Sequence, residues 1–442
     1  RAMCNLAWCY EYGKGVEKNP EESFVWYSKA AEQGDPRGLF SVARAYDYGI
    51  GTEQNPEKAA QWYQKAADAG SAPATCDLGV CYERGEGVPQ SYEKAVELYR
   101  KAAEMGNAPG QCNLGFMYES GRGVEQSWEE AVKWYSAAAQ QGFPRAMCNL
   151  AWCYETGNGV ERNLTRAVHW YRKAADQEDP RGLFCLGRCY RYGKGVEQDY
   201  AEAVKWYRQA ADAGHTRAMC DLGVCYEFGE GVEESLEQAV DWYRRAAEKG
   251  DPMGQCNLGY MYETGRGVEQ SYDEAAELYK QSAEAGYPRA MCCYGYAFEA
   301  GQGVEKDISA AAEWYRRAAG AGDAAGACNL GYLYETGEGV EQSWDQAAAY
   351  YRQAADLGQP RGQYLLGWCY EHGKGVAPSI EEAQAFYEAA AKQGYQHAKE
   401  ALERLKSGAK PAPQPEKKKE PEKKEKKPEK GGFFKGLFGG RK

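Results

Sequence analysis

Apolar and polar positions along this chain repeat as a two-part unit of 36 residues. In residues 109–144, a helix-length run from Pro109 to Tyr118 carries Leu114, Phe116, Met117 and Tyr118. Gly121-Arg122-Gly123 interrupts it, because glycine accepts the positive φ of a helix C-cap and a tight turn. Val124 is placed to plug the base of that turn. A second run carries Ala131, Val132, Trp134, Tyr135, Ala138 and Ala139 and stops at Gly142. Ser127-x-x-Glu130 reads as a capping box at its start, and the same device returns at Ser235, Ser271, Ser343 and Ser379. Asp35-Pro36, Asp179-Pro180 and Asp251-Pro252 suit an N-cap residue followed by proline at the first helical position. The pattern predicts two antiparallel helices per unit, with alanine and glycine where they approach. No stretch alternates as a strand would.

The turn gives the period. Gly-x-Gly-Val stands at Gly13–Val16, Gly85–Val88, Gly121–Val124, Gly157–Val160, Gly193–Val196 and Gly229–Val232, and continues to Gly373–Val376. Gly49-Ile50-Gly51-Thr52 keeps the spacing. Eleven repeats over residues 1–396, without insertion, mean a solenoid in which each unit buries its apolar face against its neighbours. Residues 397–406 read as a closing helix, with Ala398, Ala401, Leu402 and Leu405 as its apolar stripe. Glu178 replaces a glycine found at Gly34, Gly70, Gly106, Gly142 and Gly214. Two readings stand for it: a junction that bends differently, or a neutral substitution.

The pattern Leu-Gly-x-x-Tyr-Glu-x-Gly-x-Gly-Val, followed by Ala-x-x-Trp-Tyr-x-x-Ala-Ala-x-x-Gly, resembles the Sel1-like repeat family. That family is related to the tetratricopeptide repeat but has a longer turn. The tetratricopeptide period is 34, without this glycine turn. The resemblance covers about nine-tenths of the chain. It implies an all-α, right-handed α/α superhelical solenoid of eleven 36-residue helix-turn-helix repeats, acting as a protein-binding adaptor without chemistry. It also implies that first helices line the concave surface.

Number the first helix from Arg1. At 100° per residue, positions two, six, nine and ten share one side, and positions one, five, eight and twelve the other. The first set is monotonous, as packing requires. The second varies, so it is the candidate partner-binding groove. Position one gives a row of Arg1, Arg37, Arg145, Arg181, Arg217, Arg289 and Arg361, whose planar forks suit carboxylates and carbonyls. Position five gives Asn5, Asn113, Asn149, Asn257 and Asn329, amides that donate and accept as a peptide backbone requires. Position eight gives Trp8, Arg44, Phe116, Trp152, Arg188, Tyr260, Tyr296, Tyr332 and Trp368, with Tyr12 at position twelve; tryptophans are common interface anchors. A structural reading stands beside this one: Arg pairing with Glu11-type positions, and Asn bridging neighbouring helices. Arg1–Glu11 recurs letter for letter at Arg145–Glu155, a gap of 144 residues, so a four-repeat block is duplicated. One surface presented twice would suit an extended ligand; drift after duplication is the plainer account.

Charge narrows the partners. The net charge of −11 divides into +7 on residues 410–442 and −18 on residues 1–406. An acidic body is a poor match for nucleic acid. No apolar run is long enough to span a membrane. Arg1 already lies inside a repeat, so the natural N-terminus is expected upstream and the lack of a signal peptide says little. The sixteen cysteines sit mostly at positions four and nine, as in Cys4/Cys9 and Cys76/Cys81. Residues five apart on a helix diverge by about 140°, so such pairs cannot bridge and read as small hydrophobes. Free thiols favour a reducing, cytoplasmic setting, with disulfides between repeats as the alternative. No Cys-x-x-Cys exists and four histidines stand in unrelated contexts, so no metal, cofactor or catalytic set is expected. Asn163-Leu164-Thr165 sits at a helix start and reads as an accidental glycosylation match.

Residues 407–430 are Pro/Lys/Glu-rich and predict a disordered linker. Residues 431–442 then place Phe433, Phe434, Leu437 and Phe438 among glycines and cations. Three readings compete for this tail: a motif docking on a second protein, contact with an anionic membrane, or an inert segment that folds back on the array. The expected function is a non-catalytic adaptor binding a peptide or protein in the groove. The alternative is a membrane-surface organiser recruited by the tail.

Overall fold

A computed structural model describes residues 1–407. All but Ser407 of the expected linker (407–430), and the whole terminal motif (431–442), lie outside the described residues. Among those described there are 23 helices and no strand. They alternate as first and second helices of eleven hairpins, most of them 13 residues long, and Gln396–Lys406 closes the series. Two compact units result, Arg1–His215 and a second beginning at Thr216. Within each unit a first helix packs against the second helix of its own repeat and that of the repeat before.

Local chemistry sets the helix ends. Asp35, Asp179, Asp251 and Asp323 cap first helices by accepting backbone N–H bonds. The Ser127, Ser235, Ser271, Ser343 and Ser379 hydroxyls accept from the backbone of the residue three on, at 3.2–3.3 Å. Asn163 is likewise an N-cap. The first turn glycine is a left-handed C-cap, as at Gly121 with φ 67°. The second has another reason. A Cβ on Gly123 would stand 2.4 Å from the Tyr92 carbonyl carbon, at the start of the preceding repeat's second helix. Turn glycines thus set the distance between repeats as well as the turn.

Within each unit the core is a row of tyrosines, one from each second helix. Tyr63, Tyr99, Tyr135, Tyr243, Tyr315, Tyr351 and Tyr387 are fully buried. Each ring lies against a first-helix glycine wherever one is present: a Cβ at Gly115 or Gly223 would come within 2.8 or 2.5 Å of Tyr135 or Tyr243. Paired alanines, such as Ala138 and Ala139, fill the seam beside it. Val88, Val124, Val304, Val340 and Val376 pack against this core from the turns.

Glu178 holds φ 57° and is the one non-glycine residue in that region among the described residues. Its turn matches that of its glycine counterparts, where an added Cβ meets nothing within 4 Å. All sixteen cysteines are free, and only Cys9, Cys185 and Cys293 are half-buried rather than buried. Several have a polar partner: Cys4, Cys148 and Cys220 donate to the capping carboxylates Asp35, Asp179 and Asp251 at 3.4–3.6 Å.

Candidate interaction face

The first helices present the position one, five, eight and twelve side chains together, but many of them bond to one another. In the first unit, Asn113 Nδ2 lies 3.6 Å from Cys76 Sγ, and Arg145 donates to Asn113 Oδ1 at 3.3 Å. One repeat on, Asn149 reaches Cys112 at 3.9 Å and accepts from Arg181 at 2.8 Å. In the second unit, Asn329 reaches Cys292 at 3.8 Å and accepts from Arg361 at 3.3 Å. Each asparagine therefore ties three consecutive first helices. This is the bridging role weighed for asparagine from the sequence, with arginine as its partner.

The carboxylate at position eleven, which the sequence suggested as an arginine partner, is occupied elsewhere. In ten of eleven repeats it accepts the hydroxyl of the core tyrosine, at 2.5–3.0 Å. In repeat six the buried Arg191 stands at that position. A cation from the next repeat's turn, or from the closing helix, also reaches this row: Lys194 on Glu155 at 2.6 Å, Arg266 on Glu227 at 2.5 Å, and Arg404 on Glu371 at 2.5 and 2.7 Å. Burial works to raise these carboxyls. At Glu155 and Glu371 the cation and tyrosine bonds outweigh it and hold the group below the ordinary range. At Glu227 burial wins and the pKa rises despite Arg266.

The aromatic row divides. Trp152 packs on Trp128 with ring centroids 5.5 Å apart, and Trp368 stacks on Trp344 at 5.8 Å and on His372 at 4.2 Å. Trp368 is only 5% exposed, so it is a wedge between helices more than an open anchor. Asn149 and Asn257 are buried too. Trp8, Tyr12 and Tyr296 remain well exposed, as do Arg1, Arg37, Arg145, Arg181 and Arg217. Phe116, Tyr260, Tyr332, Arg44, Arg188, Arg289 and Arg361 are half-buried. Tyr48, Tyr192 and Phe228, all at position twelve, are exposed members that sequence reasoning passed over. A signal existed: Tyr48 and Tyr192 are 144 residues apart, the spacing of the duplicated block.

Among the described residues, twelve large hydrophobic side chains are exposed, and half of them occupy positions eight and twelve: Trp8, Tyr12, Tyr48, Tyr192, Phe228 and Tyr296. Trp8 and Tyr12 lie 5.3 Å apart, and the Arg44 guanidinium sits 5.9 Å from the Tyr48 ring. The face thus offers aromatic surface beside guanidinium groups. Among the described residues, no group of three or more His, Cys, Asp or Glu could hold a metal, and no helix is long and apolar enough to cross a membrane.

The Sel1 repeat family matches this chain eleven times, at residues 1–35, 36–71, 72–107, 108–143, 144–179, 180–215, 216–251, 252–287, 288–323, 324–359 and 360–395. A crystal structure of a protective antigen present in uropathogenic Escherichia coli strains, displaying an SLR fold, is similar at 34% identity over 92% of this chain and 88% of that one, with a TM-score of 0.62. A Sel1 repeat protein from Oxalobacter formigenes is similar at 35% identity over 55% of this chain and 96% of that one, with a TM-score of 0.50. A search of curated proteins returned no match.

Proposed function

We propose that this chain, which belongs to the Sel1 repeat family, is a non-catalytic scaffold that holds a peptide or protein on the first-helix face of its repeats. Helical-repeat solenoids commonly serve as protein-interaction scaffolds, because stacking creates long surfaces rather than one enclosed cleft. The observation that carries the reading is the concentration of exposed aromatics at positions eight and twelve. Loosely scattered apolar residues need no explanation, whereas their gathering on one helix face marks contact surface. Arg145 and Arg181, exposed in the position-one row, each carry five donors, and the bond to asparagine uses one. The rest suit carboxylates and peptide carbonyls of an extended partner.

The test is capture of partners from native lysate by the intact chain and by a variant carrying Trp8→Ala, Tyr12→Ala and Tyr48→Ala. All three side chains are exposed, so helical circular dichroism should be kept. Loss of a partner in the variant is expected; full retention would move binding off this face. The membrane reading rests on the tail sequence alone, through Phe433, Phe434, Leu437 and Phe438 beside cations. Sedimentation with anionic liposomes, with and without residues 431–442, decides it.

A further inference from the structure

We propose that Cys256 and Cys293 form a reversible disulfide that ties the first helices of repeats eight and nine. The first-helix ladder supplies the geometry. There a position-five side chain meets the position-four sulfur of the preceding repeat, 37 residues earlier, with Asn Nδ2 3.6–3.9 Å from Cys Sγ at three sites. Residue 293 occupies position five, and its partner 37 residues earlier is Cys256. A thiol therefore stands where other repeats hold an amide, and the Cys256 thiol hydrogen-bonds to Cys293. This relation differs from the pairs five apart on one helix, whose side chains diverge.

Two further observations single out this pair. Cys148 and Cys185 share the same register in the first unit, but Cys148 donates its proton to the capping Asp179 at 3.5 Å. In repeat eight the equivalent capping position is Tyr287, which makes no side-chain cap bond. Cys256 therefore has no capping carboxylate to hold it, and turns to Cys293. The second observation is access. Cys293 is half-buried and lines a surface cleft with Glu263, Tyr279 and Tyr296. Arg289, one turn earlier, also hydrogen-bonds to Cys293. The bond from Cys256 and the Arg289 charge draw the Cys293 thiol below its ordinary range, against burial and the Glu263 charge. Cys293 is accordingly the attacking sulfur and Cys256 the resolving one.

The oxidant is a small disulfide such as oxidised glutathione. The Cys293 thiolate attacks one of its sulfurs, the S–S bond breaks, and one glutathione thiolate leaves. Cys256 gives its proton to solvent and attacks Cys293 Sγ, expelling the second glutathione. Two protein thiols are oxidised to one disulfide, and one small disulfide is reduced to two thiols.

The full chain is treated with oxidised glutathione, alkylated, digested with trypsin and read by mass spectrometry. Cleavage at Arg266, Lys280 and Arg289 separates Cys256 from the peptide that carries Cys292 and Cys293, and fragment ions of the linked peptide assign the bond to Cys293. The expected result is a Cys256–Cys293 peptide that dithiothreitol reverses, with a raised urea midpoint for the oxidised chain. Cys293→Asn should abolish the link and keep the fold, because asparagine holds position five in repeats one, four, five, eight and ten. Cys256→Ala is the second variant and should leave Cys293 as a mixed disulfide with glutathione. Cys293 unmodified, or glutathionylated in the unaltered chain without a link to Cys256, overturns the proposal.

Discussion

Single residues in this chain are judged by whether they keep a repeat's bonds or break them. Glu178 keeps the turn at φ 57°, a conformation that side chains with a Cβ adopt at some cost. Glu178→Gly should therefore stabilise the first unit by on the order of 0.5–1 kcal/mol, the left-handed penalty less the entropy of glycine. Thermal melting checks it; an unchanged or lower melting temperature contradicts it. Asp77, at position five of repeat three, is raised from 3.8 to about 6 by burial and by the Asp47 charge, with Arg44 opposing. Its folded state binds a proton more tightly than the unfolded chain. Its contribution to stability is thus full below about pH 4 and is lost as pH rises through 6. Asp77→Asn installs the residue found at Asn113 and Asn149, so it should melt higher than the parent at pH 8 and converge with it near pH 4. The position-five residues show where sequence reading stopped. A helical wheel drawn on one helix places Asn113 and Arg145 on a free face. It cannot see that a 36-residue period brings position one of a repeat onto position five of the repeat before.

At the scale of the hairpin, most of the architecture was legible. The glycine turn, the serine and aspartate caps, the proline starts and the two apolar runs all act within about a dozen residues, which local sequence encodes. Two features were not legible, because they join distant elements. One is the second turn glycine, which spaces repeats. Gly123→Ala adds a Cβ at φ 68° only 2.4 Å from the Tyr92 backbone, and should cost about 2–4 kcal/mol by combining left-handed strain with overpacking. Gly142→Ala, at φ 88° with open space around it, should cost only about 1–2 kcal/mol. Equal losses in urea melts would remove the spacing role. The other feature is the tyrosine–carboxylate bond. Glu119 beside a turn looks like surface charge, yet it accepts from Tyr135 in the core. Tyr135→Phe should cost about 1.5–3 kcal/mol, as expected for a bond to a charged group. The closing helix uses the same carboxylate row. Arg404 grips Glu371, whose side chain is 1% exposed, with two bonds. Arg404→Ala should release Gln396–Lys406 to fast amide hydrogen exchange while repeats one to ten keep their protection.

For the whole molecule, the repeat count and all-helical class came directly from periodicity, while the exposure of each side chain on the candidate face came from the structure. Trp8, Tyr12 and Tyr296 are exposed, but Trp368 and Asn257 are buried between helices, and Tyr48, Tyr192 and Phe228 emerged only from the structure. Function on this account is a property of aligned rows rather than of any one residue. The acidic charge of −18 over residues 1–406 favours partners with basic segments, and binding to such partners should weaken with salt. The most direct measurement is amide hydrogen exchange on the chain with and without a captured partner. The account predicts that protection gained on binding maps to the first helices, strongest around Trp8–Tyr12, Arg44–Tyr48 and Arg188–Tyr192. Protection confined to the second helices, with the first helices unchanged, would contradict it.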